Sequence, residues 1–190
     1  MFRSSLFGSS IVPLRIVFLM WLFFALEFLY GWKLSVFGII PRTVPGLVGI
    51  FISPLIHGNI YHLISNTIPL LFLGSVMYFF YETRAPAVFF RAYFWTNLLV
   101  WLFARPDSIH IGASGLVYAL AFFLIFFGIF YRDFRSLIIT IIVFILYGGV
   151  FYGILPSDPH VSWESHLAGA LVGISSAITL SRKVRGDRGE

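Results

Sequence analysis

Cysteine is absent from this 190-residue chain. Its absence excludes a disulfide framework and any thiolate metal site. Charge is scarce as well: Asp, Glu, Lys and Arg make up 11% of the residues, against about 25% in a soluble domain. So little charge cannot cover a water-facing surface. Internal repeats, low-complexity tracts and any stretch with soluble-domain composition are also missing, which argues against solenoids and strings of modules. What fills the chain is apolar: 59% hydrophobic and 19% aromatic residues, with a mean hydropathy of +0.92. The expectation is an all-α polytopic membrane protein in which residues 1–190 form one transmembrane domain, with a short N-terminal segment 1–11 and a charged tail 182–190. The first apolar stretch runs into a full span without a small-residue cleavage site, so no signal peptide is expected. The net charge of +5 sits at segment ends, which fits membrane topology rather than nucleic-acid binding.

Six apolar segments can be drawn, at about 12–30, 57–80, 87–104, 114–131, 136–155 and 164–181. Each approaches the roughly 20 residues that cross a 30 Å hydrocarbon core. Six transmembrane helices are therefore expected, with a Pro- and Gly-containing connector between the first two. Of the 13 Lys and Arg residues, only Lys33, Arg42 and Arg105 fall outside if the N-terminus is inside. By the positive-inside rule both termini are cytoplasmic.

Three polar residues interrupt these segments where a membrane protein keeps them only at a cost: Ser114 in Gly112-Ala113-Ser114-Gly115, Asn66, and His166. Intramembrane polar groups mark function by default. Counted to the cytoplasmic charge that ends each helix, Asn66, Ser114 and His166 lie about 24, 27 and 24 Å deep at 1.5 Å per residue. A nucleophile, a base and an amide donor thus share one level. Each also has a plainer reading. A serine starts a helix well, a lone histidine is often satisfied by a carbonyl, and a buried asparagine can join helices. Flanking glycines let the backbone turn tightly around Ser114. A serine hydroxyl needs a base to act as nucleophile, and a neutral imidazole can serve near pH 7. Gly169 and Gly173 form a G-x-x-x-G face beside His166, which lets a neighbouring backbone approach. If that neighbour is the fourth segment, imidazole and hydroxyl come together. His62 stands one turn from Asn66 on the same face. No metal is expected, because H-E-x-x-H is missing and His57 and His62 are five residues apart. Glu27 and Asn97 read as capping and packing groups.

At these residues the sequence resembles the rhomboid intramembrane serine proteases. Gly112-Ala113-Ser114-Gly115 matches the family's G-x-S-G, and His166 with Gly169 and Gly173 matches the base and its glycine-rich helix. His62 and Asn66 match the second-span H-x-x-x-N of the oxyanion hole. Tyr118 matches the aromatic residue packed on the base, and His57 a further second-span histidine lining the site. The resemblance implies a rhomboid-like six-helix bundle and a Ser114–His166 dyad without cofactor. It implies cleavage of single-span transmembrane substrates within a lipid bilayer, in a bacterial inner membrane. The alternative is a non-catalytic relative that binds transmembrane segments. Two departures stand out: Ser165 precedes the base where the family often has alanine, and the first connector lacks a Trp-Arg pair. The stretch from Pro156 to Ser162 is expected to cap a wet cavity.

Overall fold

The computed structural model describes residues 5–156 and 161–186. Among these residues all regular structure is helical: α1 (Leu6–Tyr30), α2 (Gly46–Ile52), α3 (Ile60–Phe80), α4 (Ala85–Phe103), α5 (Ser114–Tyr131), α6 (Phe134–Tyr147), α7 (Val150–Gly153) and α8 (Trp163–Gly186). There is no strand among them, only one isolated antiparallel bridge between Ile39 and His110. Helix is the economical answer for such a composition, since each backbone bond closes inside its own segment. Polar caps set several starts. Ser5 accepts from the Gly8 amide at 3.0 Å, Asn59 from the His62 amide at 2.8 Å, and Asp133 from the Arg135 amide at 3.1 Å.

Four helices are long and apolar enough to cross a membrane: Leu6–Tyr30, Ile60–Phe80, Ser114–Tyr131 and Trp163–Val184. Helix α4, with 19 residues, and α6, with 14, occupy the other two expected places. The expected fifth segment, 136–155, is not one helix. Regular α-helix ends at Tyr147, Gly148-Gly149 follow, and α7 is a single turn. Adjacent glycines each weaken a helix by about 1 kcal/mol relative to Ala. Bonding here tightens to the i+3 pattern, with Phe151 donating to the Gly148 carbonyl at 3.2 Å and Tyr152 to Gly149 at 3.1 Å.

Helix α5 is the hub, packed by α3, α4, α6 and α8. Two thirds (67%) of its apolar window is buried, against 17% for α1. Leu120, Phe123, Leu124 and Phe127 fill the interior. The Gly169–Gly173 face of α8 lies directly on α5. A Cβ at Gly169 would overlap the Gly115 carbonyl oxygen, and one at Gly173 the Ala119 carbonyl oxygen. Helix α1 packs on α3 where Pro13 fits against Gly74, with Ser75 donating to Ser10 at 2.9 Å.

The connector between α1 and α3 is bound along its length to α4 and the α4–α5 loop. Ile39 and His110 exchange two backbone bonds of 2.9 Å. Arg42 donates to the carbonyls of Leu102 at 3.0 Å and Ala104 at 2.8 Å, and Trp101 donates to the Thr43 carbonyl at 2.9 Å. Asn97 donates to the Ile50 carbonyl at 3.1 Å, a packing role. Glu27 accepts from the Leu34 amide at 3.1 Å, a capping role. These bonds satisfy backbone groups that an irregular, partly buried segment would otherwise leave unpaired.

Candidate active site

A cavity of about 800 Å³ opens where the starts of α3, α5 and α8 converge, and its walls include His62, Asn66, Ser114, Tyr118 and His166. Three helices from distant parts of the sequence thus present a hydroxyl, an imidazole and a carboxamide to one space.

Ser114 is the first residue of α5. It stands at the end of the helix where free N–H groups and the positive end of the dipole favour negative charge. The turn before it needs Gly112, whose φ is +102°. Its amide donates to the Ser53 carbonyl at 2.9 Å, and an added Cβ would sit 2.5 Å from His62 Nε2. Gly112 therefore shapes the turn and seats the His62 ring, and its own N–H is already engaged. Gly115 lets α8 close in: a Cβ there would stand 3.1 Å from the Ser165 carbonyl oxygen.

His166 is 8% exposed and fixed on two sides. Its Nδ1 lies 2.9 Å from the Gly153 carbonyl oxygen, and its ring stacks on Tyr118 at 4.0 Å with planes 7° apart. A carbonyl only accepts, so Nδ1 carries the hydrogen and Nε2 keeps its lone pair. Gly153 is itself packed so closely that a Cβ would overlap the Tyr118 hydroxyl. Ser114 and His166 share the cavity. Among the described residues no hydrogen bond joins their side chains.

Asn66 is 3% exposed. Its amide nitrogen donates to the His62 carbonyl at 2.9 Å, which fixes the side chain and leaves a second N–H. His57 is not on the cavity wall. It lies one layer back, 1% exposed, with its ring 4.9 Å from that of His62 in edge contact. Burial, reinforced by the neighbouring His62, holds the His57 imidazole well below its usual value, at about 4. Among the described residues no group of three or more His, Asp or Glu side chains is arranged to hold a metal ion.

Several residues at the cavity carried no warning in the sequence. Gly153, the acceptor for His166, lies in what reads as an ordinary apolar span. His110 sits in the α4–α5 loop, and its Nδ1 is 2.6 Å from Ser162 Oγ. Ser162 in turn shares a 2.6 Å hydrogen bond with Ser165. Arg105 pairs with Glu164 at 3.2 Å and donates to the Val161 carbonyl at 2.9 Å. Polar residues in loops are common, so none of these was distinguishable without coordinates. Of the stretch expected to cap the cavity, Ser157 to His160 lie outside the described residues.

The rhomboid-domain family model matches residues 45–183. Uncharacterized proteins of Mycobacterium bovis and of Mycobacterium tuberculosis are each 38% identical to this chain over 188 residues, covering 94% of it and 77% of the relative. An uncharacterized protein of Mycobacterium leprae is 34% identical over 158 residues, covering 75% of this chain and 59% of its own length. The match runs from just before α2 into the last turn of α8 and takes in every residue placed around the cavity: the chain belongs to the rhomboid family.

Proposed function

We propose that this protein is an intramembrane serine endopeptidase that cleaves transmembrane segments of single-span proteins. The observation that carries the reading is the Gly153 carbonyl on His166 Nδ1 at 2.9 Å. It leaves Nε2 as the proton acceptor of a residue that lines one cavity with Ser114. In this reading Ser114 Oγ attacks the scissile carbonyl while Nε2 takes its proton. The oxyanion forms beside the free N–H of Asn66, with His62 as the second donor. Collapse expels the amine, which receives the proton from His166, and leaves an acyl-Ser114 ester. Water, deprotonated by the same nitrogen, hydrolyses that ester and frees Ser114. Tyr118 and Gly153 hold the imidazole through both halves of the cycle.

The same reading takes α4 and α6 as crossing the membrane with the four longer helices, residues 1–190 as one domain, and both termini as cytoplasmic. It places the protein in a bacterial cell membrane, working without a cofactor. Substrate helices must unwind locally, because each of their carbonyls is otherwise bonded internally. Small or helix-weakening residues at the cut are therefore favoured.

The test is incubation of the purified protein with single-span substrates, set beside Ser114→Ala and His166→Ala. Cleavage by the intact protein and none by either variant is expected. The double variant should be no worse than the singles, since residues acting as a unit are non-additive. Binding of the substrate without cleavage by the intact protein would instead support a non-catalytic relative.

A further inference from the structure

Two segments carry the proposed nucleophile and base. The α4–α5 loop delivers Ser114, and the start of α8 delivers His166. They are tied together along the cavity wall by a chain of side chains that the cleavage chemistry does not use. His110, four residues before Ser114, meets Ser162 Oγ through Nδ1 at 2.6 Å. Ser162 Oγ meets Ser165 Oγ at 2.6 Å. Ser165 immediately precedes His166, and its carbonyl faces Gly115. His110 is itself immobilised, because its amide and carbonyl are both bonded to Ile39 at 2.9 Å. A second tie joins the same two segments, from Arg105 to Glu164 at 3.2 Å and to the Val161 carbonyl at 2.9 Å. The backbone of His166 also leans on this turn, its amide donating to the Ser162 carbonyl at 3.3 Å.

The geometry points to His110, Ser162 and Ser165 as positioning residues that set the separation of Ser114 from His166. This role rests on the protease reading above. The chain starts four residues from one reacting group and ends one residue from the other, so any slack in it appears between hydroxyl and imidazole. The seam below, at Gly169 and Gly173, fixes how closely α8 approaches α5. It does not fix the terminal turn of α8, which has no further turn above it. The Ser165 hydroxyl completes the chain. Short hydrogen bonds between buried or half-buried hydroxyls and an imidazole act as a unit, so removing the middle member unties both ends.

The experiment uses the full-length protein in detergent micelles, with Ser162→Ala, Ser165→Ala, their double variant, and Ser165→Thr, which keeps a hydroxyl. Three quantities are read: kcat and KM on a single-span substrate, the rate at which a fluorophosphonate labels Ser114, and the thermal midpoint. Ser165→Ala should lower kcat and the labelling rate about tenfold, a fraction of the roughly 10²-fold that a 1 Å misplacement costs. KM and the thermal midpoint should stay near their original values. Ser165→Thr should recover most of the loss. The double variant should fall no further than Ser162→Ala alone, because one chain is being cut twice. If the intact protein cleaves and labels while Ser162→Ala and Ser165→Ala match it, the positioning role is overturned and the protease reading stands. If kcat and thermal midpoint fall together and Ser165→Thr recovers neither, the chain is structural only. If the intact protein neither cleaves nor labels, both readings fall.

Discussion

The α5–α8 contact and the α3–α6 contact are built differently. Towards α8 the contact is backbone on backbone: Gly169 and Gly173 meet the carbonyls of Gly115 and Ala119 with no room for a methyl group. Elsewhere in the bundle α3 and α6 meet through side chains, with Phe72 stacked on Tyr147 and Arg135 over the Phe80 ring. Between them lies an apolar cleft of about 510 Å³ walled by Phe72, Val76, Ile138 and Ile142. The first surface cannot be adjusted without moving a helix. The second can be adjusted by rotating side chains. Ser114 and His166, the proposed reacting groups, lie at the top of the first. The proposed dyad, which would have to hold hydroxyl and imidazole in one geometry, is carried on a backbone-close contact with few degrees of freedom. The part that can yield is placed elsewhere.

The strongest test of this contrast is Gly169→Leu. Its side chain would have to occupy the space of the Gly115 carbonyl, one turn from His166. Cleavage should fall by at least about 10²-fold, and the thermal midpoint should drop, because overpacking a tight contact destabilises by typically 1–3 kcal/mol. Gly173→Leu should cost similar stability, with a smaller effect on His166 because it lies a turn further from the site. Near-normal turnover in Gly169→Leu would erase the distinction between the two contacts.

Next in size are changes inside the cavity that leave the seam alone. Asn66→Ala removes one N–H donor, and a single oxyanion-hole donor typically contributes about 10²–10³ in rate. kcat should fall by that order with KM little changed. A pure KM effect would assign Asn66 to substrate binding. Gly112→Ala places a methyl group 2.5 Å from His62 Nε2 on a backbone with φ +102°. It should displace the His62 ring and lower activity while the α5–α8 seam, and with it most of the stability, is kept.

How far the sequence carried this picture follows from what each signal measures. Hydropathy reports burial from water, so the helical class and the four long apolar helices were legible. It does not report continuity, so the break at Gly148-Gly149 was merged into one span, although the paired glycines were there to be read. Ser114, Asn66 and His166 stood out because a polar group in an apolar run is costly, and the structure lines one cavity with all three. His57 was expected to line the site by resemblance alone, but it lies behind His62, since a matched position gives no direction. Gly153 acts through its carbonyl, which every residue has, and no sequence signal can mark it. The connector's hold on α4 is likewise built on carbonyls of Ile50, Leu102 and Ala104.

A moderate effect is expected from acid. His57 and His110 lie in the loops outside the long helices. Burial lowers His57 to about 4, with His62 adding to the effect. Burial also lowers His110, while Glu164 pulls in the opposite direction. Both are therefore more easily protonated when unfolded. Their contribution to stability is complete above the unfolded value near 6.5 and is lost as pH falls towards the folded values. The thermal midpoint should fall between about pH 6.5 and 4, and His57→Asn should flatten part of that slope. A midpoint that rises on acidification would contradict the burial of these rings.

The smallest effect should come from the yielding side, where neighbouring residues of α6 give an internal control. Ile142 and Val143 both border the cleft, but Ile142 is 45% exposed within the protein, whereas Val143, next in sequence, is 1% exposed and packed into the interior. Ile142→Ala removes atoms that side chains or lipid can replace, so it opens no closed void. Its effect on stability should stay within about 0.5 kcal/mol, as for a surface position, with kcat unchanged. Val143→Ala removes methyl groups from the packed interior. The lost transfer energy of about 0.8 kcal/mol per buried CH₂ is increased there by the void left behind. Thermal unfolding of both variants in the same micelles separates the cases. Equal losses at the two positions would mean that the exposed face of the cleft is as tightly coupled as the interior, and the freedom assigned to the α3–α6 side would have to be withdrawn.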